Sequence, residues 1–387
     1  MKIVHLCLGN FYVDNHTYQE NLLPKAHKLL GYDVEIIAGT LGFDEKSSFT
    51  NSSKLGVYTN EYGIKVTRLP YRWNCKFDKI LRYYKGVTES LEKAQPDIIF
   101  IHNCQFMDID KVVNYVKKHP QVRVFVDNHA DFNNSATNWV SRKILHGYVW
   151  KKCAHTIEPY VSKFYGVLPG RVQFLIDVYN LPPQKCELLV MGGDDALIQK
   201  VSTNEVRMHT RKKMGINEDE FLIVTGGKIN WARPETLNLM VAVSNVKSSN
   251  VKLVVFGNVS DELKERFDEL CKIPNIQFVG WLNTEEVHQL MASSDLVVFP
   301  GLHSVLWEQA CALGIPCIFR DLEGVHHVDL DGNAIFLNDV SVASLAKEIN
   351  KLLTSTHKYQ TMKKISQTKG RLNFSYLDIA KRSISVK

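Results

Sequence analysis

Short apolar runs bounded by turn residues alternate with longer stretches of helical periodicity along the whole chain. Apolar runs of this kind predict buried strands, and the helical stretches between them predict the crossover connections of a parallel sheet. The predicted strands of a first series are Lys2–Leu8, Val34–Ala38, Lys65–Leu69, Ile98–His102 and Arg123–Asp127. We therefore expect an α/β fold whose first part is a doubly wound unit.

A second series of the same kind follows later in the chain. Its predicted strands are Phe221–Thr225, Lys252–Phe256, Ile276–Val279, Leu296–Phe299 and Pro316–Arg320. The helices predicted between and after them are Pro234–Val246, Asp261–Cys271, Thr284–Ala292, Val305–Leu313 and Tyr376–Ser383. Asn283 and Ser260 each precede one of these helices and are followed by acidic residues, so both are predicted to act as N-terminal caps.

The strand pattern stops between about Met191 and Asn217, where glycine, aspartate and charged residues replace it. We predict two Rossmann-like domains, residues 1–195 and 196–370, and a terminal helical segment, residues 371–387, that could pack back on the first domain. Two such units joined in series create a central cleft, and ligands of open parallel sheets bind beyond the carboxyl ends of the strands. The functional residues are therefore expected in the loops that follow the strands.

Composition excludes several classes of protein. The 387 residues include 47 Lys+Arg and 41 Asp+Glu, a formal charge of +6 that gives no support to a dedicated nucleic-acid binder. The eight cysteines form no Cys-x-x-Cys pair and no Cys/His spacing typical of structural zinc. No segment has the length of uncharged apolar residues that a membrane span needs. These features predict a cytoplasmic protein with free thiols.

Two loops carry residues suited to an anionic ligand. Gly226 and Gly227 follow one predicted strand and would let a ligand approach the backbone, while Lys228 and Arg233 could neutralise a diphosphate beside a helix start. After the strand Leu296–Phe299, the backbone amides of His303, Ser304 and Val305 precede a helix in which Glu308 could accept hydrogen bonds from a sugar diol. Alternatively, the first loop is an ordinary turn and Glu308 only favours the helix dipole.

The same segments resemble a known family. The C-terminal domain of retaining glycosyltransferases of the GT-B fold, family 4, is similar to GGKINWARPETLNLMVA, LVVFGN, IQFVGWLNTEEVHQLMASSDLVVFPG and SVLWEQACALGIPCIF. QENLLPKAHKLLGYDVEIIAG resembles the first helix and second strand of that family, and FYGVLPGRVQFLIDVYNLPPQKCELLVMGGDD resembles its inter-domain stretch. The resemblance covers nearly the whole chain in the right order and implies a GT-B fold with two Rossmann-like domains facing a central cleft.

The resemblance also implies roles for single residues on the donor side. Donor-binding residues implied by it are Gly9, Asn10, Gly227, Lys228, Arg233, Gly280, Trp281, His303, Ser304, Val305 and Glu308. Among them, Lys228 and Arg233 match the cations on the donor diphosphate, Glu308 matches the residue that contacts the ribose, and Gly280 and Trp281 lie where the family holds the base. Pro300 occupies the place of a carboxylate that family members use on the sugar, so sugar recognition differs or His303 substitutes.

On the acceptor side, His129 follows the strand Arg123–Asp127 and resembles a histidine that faces the donor sugar in the family, which makes it a catalytic candidate together with Lys228, Arg233 and Glu308. A histidine at a strand end can donate to a sugar hydroxyl near neutral pH, although a lone histidine is more often structural. The acceptor-side candidates are His16, Tyr18, Asn128 and Asp131. Many relatives carry two glycines where this chain has Thr17 and Tyr18.

Two further patterns bear on metal and membrane contacts. Asp108-Ile109-Asp110 and Asp329-Leu330-Asp331 match a metal-binding triplet of glycosyltransferases of another fold, but such triplets arise by chance and we expect no metal or other cofactor. Cations alternate with Trp and Tyr in residues 68–85, a pattern that suits an anionic inner-membrane surface or, equally, a solvated face over buried aromatics.

The predicted function is transfer of a hexose, with retention and without a metal, from a UDP- or GDP-sugar to a hydroxyl of a glycan or lipid-linked oligosaccharide in cell-surface polysaccharide biosynthesis. Nucleic acid is not an expected partner. Two alternatives stay open: a GT-B-fold epimerase of nucleotide sugars, and a catalytically silent glycan-binding or partner subunit.

Overall fold

The computed structural model describes residues 1–43, 49–51, 55–132, 134–231, 234–246, 248 and 250–385. Contacts divide the chain into two compact units, Met1–Val190 together with Tyr376–Lys387, and Met191–Ser375. The sequence placed the boundary after residue 195. It lies earlier because Gly193 belongs to the second unit: its amide donates to Phe374 O at 2.9 Å, and it forms a β-bridge with Ser375. Arg371–Asn373, predicted to belong to the terminal segment, is part of the second unit.

The first unit is built on an eight-stranded sheet with an additional short hairpin. Its strands in chain order are β1 (Lys2–Cys7), β2 (Asp33–Ala38), the hairpin strands β3 (Leu41–Phe43) and β4 (Phe49–Asn51), β5 (Gly56–Thr59), β6 (Lys65–Arg68), β7 (Ile98–His102), β8 (Arg123–Asn128), β9 (Val161–Gly166) and β10 (Cys186–Leu188). The order across the sheet is β10-β9-β8-β7-β1-β2-β6-β5, and only β5 runs antiparallel to its neighbour. The central strands are buried on both faces, which explains their continuous apolar runs.

Strands β9 and β10 were not predicted from the sequence. They lie in and beside residues 164–195, which resemble the family's inter-domain stretch, and they complete the first sheet because β9 pairs with β8 and β10 pairs with β9. Polar residues such as Ser162, Lys163 and Glu187 interrupt the apolar pattern because these strands lie towards the sheet edge and are partly exposed. Helices of the first unit are α1 (Gln19–Leu29), α2 (Lys76–Leu81), α3 (Val87–Ala94), α4 (Ile109–Lys118), α5 (Lys151–Ile157) and α6 (Pro169–Asp177).

The second unit contains a six-stranded sheet in which every neighbouring pair is parallel. Its strands are β11 (Phe221–Ile229), β12 (Val251–Val259), β13 (Ile276–Phe278), β14 (Leu296–Phe299), β15 (Cys317–Arg320) and β16 (Ala334–Leu337). The order β13-β12-β11-β14-β15-β16 is that of a Rossmann sheet, in which the chain reverses its direction of travel between β11 and β14. The predicted fold class, α/β with two doubly wound units, is therefore confirmed.

Helices cover the second sheet, whereas the last helix of the chain belongs to the first unit. They are α7 (Asp195–Val201), α8 (Asn204–Lys213), α9 (Glu235–Ser244), α10 (Asp261–Leu270), α11 (Thr284–Ala292), α12 (Leu306–Leu313), α13 (Val342–Thr354), α14 (Thr356–Ile365), α15 (Arg371–Asn373) and, within the first unit, α16 (Tyr376–Ser383). Asn283 forms the predicted capping box with Glu286 at the start of α11. Ser260 precedes α10 without a side-chain cap bond, so that expectation was wrong.

The basic and aromatic stretch 68–85 separates into an interior and an exterior part. Arg68 is 2% exposed and donates to Tyr12 O and Gly39 O at 2.8 and 2.9 Å, while Tyr71 and Tyr84 are buried. The exposed members are Trp73, Lys76, Phe77, Lys79, Ile80 and Lys85. Arg68, Tyr71 and Tyr84 thus belong to the core and not to the predicted surface. Among the described residues, no helix combines the length and apolarity that crossing a membrane requires.

Candidate functional site

The reversal point of the second sheet brings the β14–α12 loop and the end of β11 together at the carboxyl edge, where open sheets bind ligands. Glu308 lies in the first turn of α12 and is fully buried. Its Oε1 accepts from His303 Nε2 at 2.9 Å and from His327 Nε2 at 2.7 Å. We call Glu308, His303 and His327 the carboxylate cluster. Sequence analysis proposed the first two, and the fold adds His327.

The two histidines of the carboxylate cluster favour the ionised form of Glu308 at its centre. Burial alone would raise the pKa of Glu308, but His303 and His327 hold it well below its usual value of 4.5. Glu308 Oε2 and His327 Nδ1 are buried and have no hydrogen-bond partner among the described residues. A buried carboxylate oxygen without a donor is a position at which a ligand hydroxyl would satisfy an unmet bond. The cluster therefore has a fixed geometry and one carboxylate oxygen without a donor.

The two glycines of β11 are required by strand packing and not, as expected from the sequence, by a turn that lets a ligand approach the backbone. Strand β11 continues to Ile229, so Gly226 and Gly227 lie inside the sheet rather than in a turn. A Cβ on Gly226 would come within 2.4 Å of Phe256 O, and one on Gly257 of the facing strand within 1.9 Å of Gly227 O. The glycines thus permit close approach of β11 and β12. Lys228 is exposed near the end of β11, and Arg233 lies outside the described residues.

The other donor-side candidates surround the same edge of the second sheet. Gly280 follows β13 with φ 71° and its carbonyl accepts from Gly257 N at 2.8 Å, while Trp281 is 66% exposed. Ser304 and Val305 are half-buried before α12, and their carbonyls accept from Trp307 N and Gln309 N, each at 3.0 Å. Arg320, at the end of β15, pairs with Glu235 at the start of α9. Sequence analysis missed this ion pair because strand and helix are far apart in the chain.

The first unit has a reversal point of its own between β1 and β7. A Cβ on Gly9, just after β1, would lie 1.9 Å from Asn103 O, so only glycine fits between the two loops. Asn10 donates from its side chain to Glu20, and His129 N donates to Asn103 Oδ1 at 3.1 Å. Three loops that are distant in sequence meet here, and Gly9 and Asn10 hold that meeting point.

His129 follows β8 at this meeting point with 17% of its side chain exposed. Its Nε2 lies 3.5 Å from Asp127 Oδ1 and 3.7 Å from Glu20 Oε1. Burial alone would lower the pKa of His129, but these two carboxylates raise it above 6.5. Asp127 is fully buried; His102 and His129 hold its pKa well below its usual value although burial opposes this. The two carboxylates therefore favour the protonated form of His129 at this edge of the first sheet.

The remaining acceptor-side candidates divide into structural and exposed residues. Asn128 is buried and donates to Ala130 O at 3.0 Å, which fixes the loop after β8. Asp131 pairs with Arg171 at 2.9 Å and anchors the same loop to α6. His16 stacks on Tyr18 with ring centres 5.3 Å apart, and Tyr18 is 41% exposed at the start of α1. Asn128 and Asp131 thus support the site, and His16 and Tyr18 remain accessible.

Two groups of described side chains could reach one metal ion: Glu20, His102 and His129, and the carboxylate cluster. In the first group both nitrogens of His102 already have partners, His5 at 3.0 Å and Asp127 at 2.7 Å. In the second, both histidines bond to the same carboxylate oxygen. Hydrogen bonding accounts for both groups, and the expected absence of a metal stays a prediction.

The two Asp-x-Asp triplets have structural partners. Asp108 is buried, accepts from Tyr84 N at 2.5 Å and pairs with Arg72 and Lys111. Asp329 Oδ1 accepts from Asp331 N at 3.0 Å, and Asp331 pairs with Lys369. Neither triplet contributes a carboxylate to the carboxylate cluster or to the His129 region.

Comparison with known proteins adds to this geometry. Residues 206–369 match the family model described as "Glycosyl transferases group 1". An uncharacterized glycosyltransferase of Methanocaldococcus jannaschii is 20% identical over 217 residues, which are 54% of this chain and 55% of that protein. The match therefore spans about half the length of that relative.

Solved structures match over nearly the full chain. WaaG, a glycosyltransferase involved in lipopolysaccharide biosynthesis, has 14% identity and a TM-score of 0.63 and covers 100% of this chain and 99% of its own. The fold is GT-B. A UDP-GlcNAc 2-epimerase from Neisseria meningitidis, bound to UDP-GlcNAc, has 12% identity and a TM-score of 0.62 and covers 99% of this chain and 98% of its own. The GT-B likeness shows the architecture, and one fold can host different reactions.

Proposed function

We propose that this protein is a retaining glycosyltransferase of family 4 that moves a hexose from a UDP- or GDP-sugar to a hydroxyl of a glycan or lipid-linked oligosaccharide. The carboxylate cluster is the observation that carries the proposal. An ionised, buried carboxylate at the reversal point of a Rossmann sheet, with one oxygen lacking a donor, suits the hydroxyls of a nucleotide ribose. The group 1 match of residues 206–369 supports the same assignment.

The donor diphosphate is proposed to bind at the end of β11 and at the loop between β14 and α12. Lys228 is exposed near the end of β11 and supplies one cation, and Arg233 is the second cation of the proposal. Amides around Ser304 and Val305 lie at the start of α12, where the helix dipole favours negative charge. These charges do the work that a metal does in other transferases, so metal-independent transfer is part of the proposal.

His303 is proposed to compensate for Pro300. No carboxylate occupies position 300, and His303 lies in the same loop with its Nε2 committed to Glu308 at 2.9 Å. The imidazole keeps a second nitrogen, Nδ1, for a hydroxyl of the donor sugar. A site that contacts the sugar through an imidazole instead of a carboxylate would favour a donor sugar with a different arrangement of hydroxyls from the sugars that relatives with the carboxylate bind.

His129 is the proposed catalytic residue of the first unit. A cationic imidazole can donate a hydrogen bond to a sugar hydroxyl or to charge that develops as the diphosphate leaves. The acceptor is proposed to bind beside it, near His16 and Tyr18.

Peripheral attachment to the inner membrane is a further part of the proposal. Trp73 and Phe77 are 62% and 56% exposed, and Lys76 and Lys79 lie beside them on the same short segment. Exposed aromatic rings with neighbouring lysines suit an anionic lipid surface. Such a surface would hold the enzyme next to a lipid-linked acceptor in cell-surface polysaccharide synthesis.

The deciding experiment is nucleotide binding followed by product analysis. Glu308→Ala is expected to weaken UDP or GDP binding in calorimetry, and Lys228→Ala is expected to reduce transfer. Lys264→Ala, an exposed lysine that pairs with Asp268, is the matched control for Lys228 and should behave as wild type. Wild-type nucleotide affinity in Glu308→Ala would refute the ribose assignment.

The epimerase is the second candidate because a GT-B-fold epimerase matches the chain over nearly its full length. Incubation with a nucleotide sugar alone separates the two functions. Conversion of the donor without an acceptor would favour the epimerase. A protein that no nucleoside diphosphate stabilises against heat would instead favour a silent glycan-binding or partner subunit.

A further inference from the structure

Three histidines form a continuous hydrogen-bonded string inside the first unit. His27 Nδ1 lies 3.0 Å from His5 Nε2, and His5 Nδ1 lies 3.0 Å from His102 Nε2. His102 Nδ1 then lies 2.7 Å from Asp127 Oδ2. All three rings are fully buried, in α1, β1 and β7. We call His27, His5 and His102 the histidine string.

The far end of the string meets the C-terminal helix. His27 Nε2 lies 3.1 Å from both Ala380 O and Ser383 Oγ of α16. Ser383 is fully buried, and its hydroxyl is also 2.8 Å from Ala380 O. A hydroxyl hydrogen rotates, so Ser383 can donate either to Ala380 O or to His27 Nε2. The string therefore joins a hydroxyl at one end to a carboxylate at the other.

Counting protons distinguishes the two arrangements. An ionised Asp127 only accepts, so His102 must donate from Nδ1, His5 must donate to His102, and His27 must donate to His5. With one proton on each histidine, His27 Nε2 is then an acceptor and requires the Ser383 hydroxyl as its donor. In this arrangement all three rings are neutral and all three carry their proton on Nδ1.

The opposite arrangement costs one additional proton. If Ser383 donates to Ala380 O, His27 must donate from Nε2, and every bond as far as His102 reverses. His102 would then need a second proton to keep its bond to Asp127. Burial lowers the pKa of His5 and lowers that of His27 to about 4, so charge inside the string is disfavoured. The neutral arrangement, with Ser383 as donor, is the one these groups favour.

We propose that Ser383 and the histidine string are positioning residues for His129. The Ser383 hydroxyl sets the tautomer of every ring in the string and keeps all three rings neutral. Asp127 therefore stays an anion whose charge the string does not neutralise, and this charge keeps His129 protonated. His129 Nε2 is 3.5 Å from Asp127 Oδ1, so Asp127 is shared between the string and His129. The role of His129 in sugar transfer rests on the proposed function. The proton order of the string does not.

Other polar groups face this region from the elements packed against it. Gln19 Nε2 donates to Asp127 Oδ2 at 3.1 Å, and Asn103 N donates to Asp127 Oδ1 at 3.2 Å. Neither can accept a proton from the string. Other titratable and charged neighbours are Glu20, Cys7, Cys104, Arg171 and Tyr32, whose ring centre lies 5.9 Å from that of His27. Burial raises the pKa of both thiols, so they stay neutral, and the string and the carboxylates account for the proton balance.

Nitrogen-15 NMR of the full chain labelled at histidine tests the proton order directly, because protonated and unprotonated ring nitrogens resonate far apart. Single histidine substitutions assign the signals among the 14 histidines. At pH 7 we expect His27, His5 and His102 each to be neutral with the proton on Nδ1. A proton on Nε2 of His27 in the wild-type protein would overturn the proposal, and this result needs no variant to fold.

Ser383→Ala removes the donor and should reverse the string. We expect His27 and His5 to move their protons to Nε2 and the titration midpoint of His129 to fall by roughly one pH unit, the size of a neighbouring charge effect. Ser385→Ala is the matched control, since that hydroxyl is exposed and donates to Arg382 O at 2.9 Å. Ser383→Thr, which keeps the hydroxyl, should restore the wild-type spectrum. Unchanged tautomers in Ser383→Ala would refute the inference.

The pH profile of sugar transfer then separates this inference from the proposed function. The high-pH limb of the profile should shift to lower pH in Ser383→Ala and stay in place in Ser385→Ala. NMR reads the rings without any substrate. Reversed tautomers without detectable transferase activity would therefore leave the string intact as a finding and would count against the proposed function alone.

Discussion

Replacement of Glu308 by glutamine tests the electrostatics of the carboxylate cluster. Glutamine has nearly the same shape, and its carbonyl can still accept from His303 and His327, so the variant removes the charge while keeping the packing. Hydrogen bonds to a charged group contribute roughly 1 kcal/mol more than neutral ones, so two bonds predict a loss of about 2 kcal/mol. In a unit of this size, that loss lowers the melting temperature by about 4–8 °C.

The sign of the pH dependence follows from the depressed pKa of Glu308. Its contribution is fully present above the unfolded value of 4.5 and is lost as the pH falls through the folded value. The difference between wild type and Glu308→Gln should therefore be complete at pH 7 and shrink below about pH 4.5. Differential scanning calorimetry at a series of pH values measures this difference.

Glu265→Gln is the matched control, because Glu265 is an exposed carboxylate of α10 in the same unit. It should leave the melting temperature unchanged at every pH. A Glu308→Gln protein that melts with wild type at pH 7, or a difference that does not shrink in acid, would refute the assignment of an ionised carboxylate held by two imidazoles.

Three further predictions concern other parts of the fold. Gly257→Ala places a Cβ 1.9 Å from Gly227 O at a residue with φ 119°. It should therefore destabilise the second unit by more than about 3 kcal/mol in urea unfolding. Gly215→Ala, whose Cβ would meet no atom within 4 Å, is the control and should destabilise the unit less. Asn283→Ala removes the capping box of α11 and should cost about 1 kcal/mol by the same assay, and an unchanged midpoint would contradict the cap. His129→Gln should lower the free energy of unfolding more at pH 6 than at pH 9. A histidine whose pKa is raised in the folded protein stabilises it fully below pH 6.5, and this stabilisation is lost as the pH rises through the folded pKa. Equal losses at both pH values would exclude a cationic His129.

The sequence predicted the central strands of both sheets well, because a strand buried on both faces must be apolar throughout. β7 and β14 have the predicted bounds, Ile98–His102 and Leu296–Phe299. Prediction failed near the sheet edges and in the strand extensions. β9 and β10 are partly exposed and carry polar residues, and β11 extends through two glycines that read locally as a turn. In each case the decisive contact is with another strand.

The candidate site divides along the same line. Loop position and residue type were enough to propose Glu308 and the backbone amides around His303, since strand ends of parallel sheets gather at one edge. His129 and the side-chain role of His303 were proposed from the family resemblance. His327 and the histidine string gave no local signal. Asp127 was recognised only as the end of a strand. Single buried histidines in separate elements resemble core residues until the fold places their nitrogens about 3 Å apart.

By itself, the sequence determined the alternation of strands and helices, the division into two α/β units and the edge at which function should lie, because these depend on periodicity and on residues close together in the chain. Tertiary structure alone decided which polar groups share a proton, which glycines are required by a facing strand, and which cations of residues 68–85 are buried. Those properties depend on distances between residues separated by tens to hundreds of positions, and no local pattern encodes them.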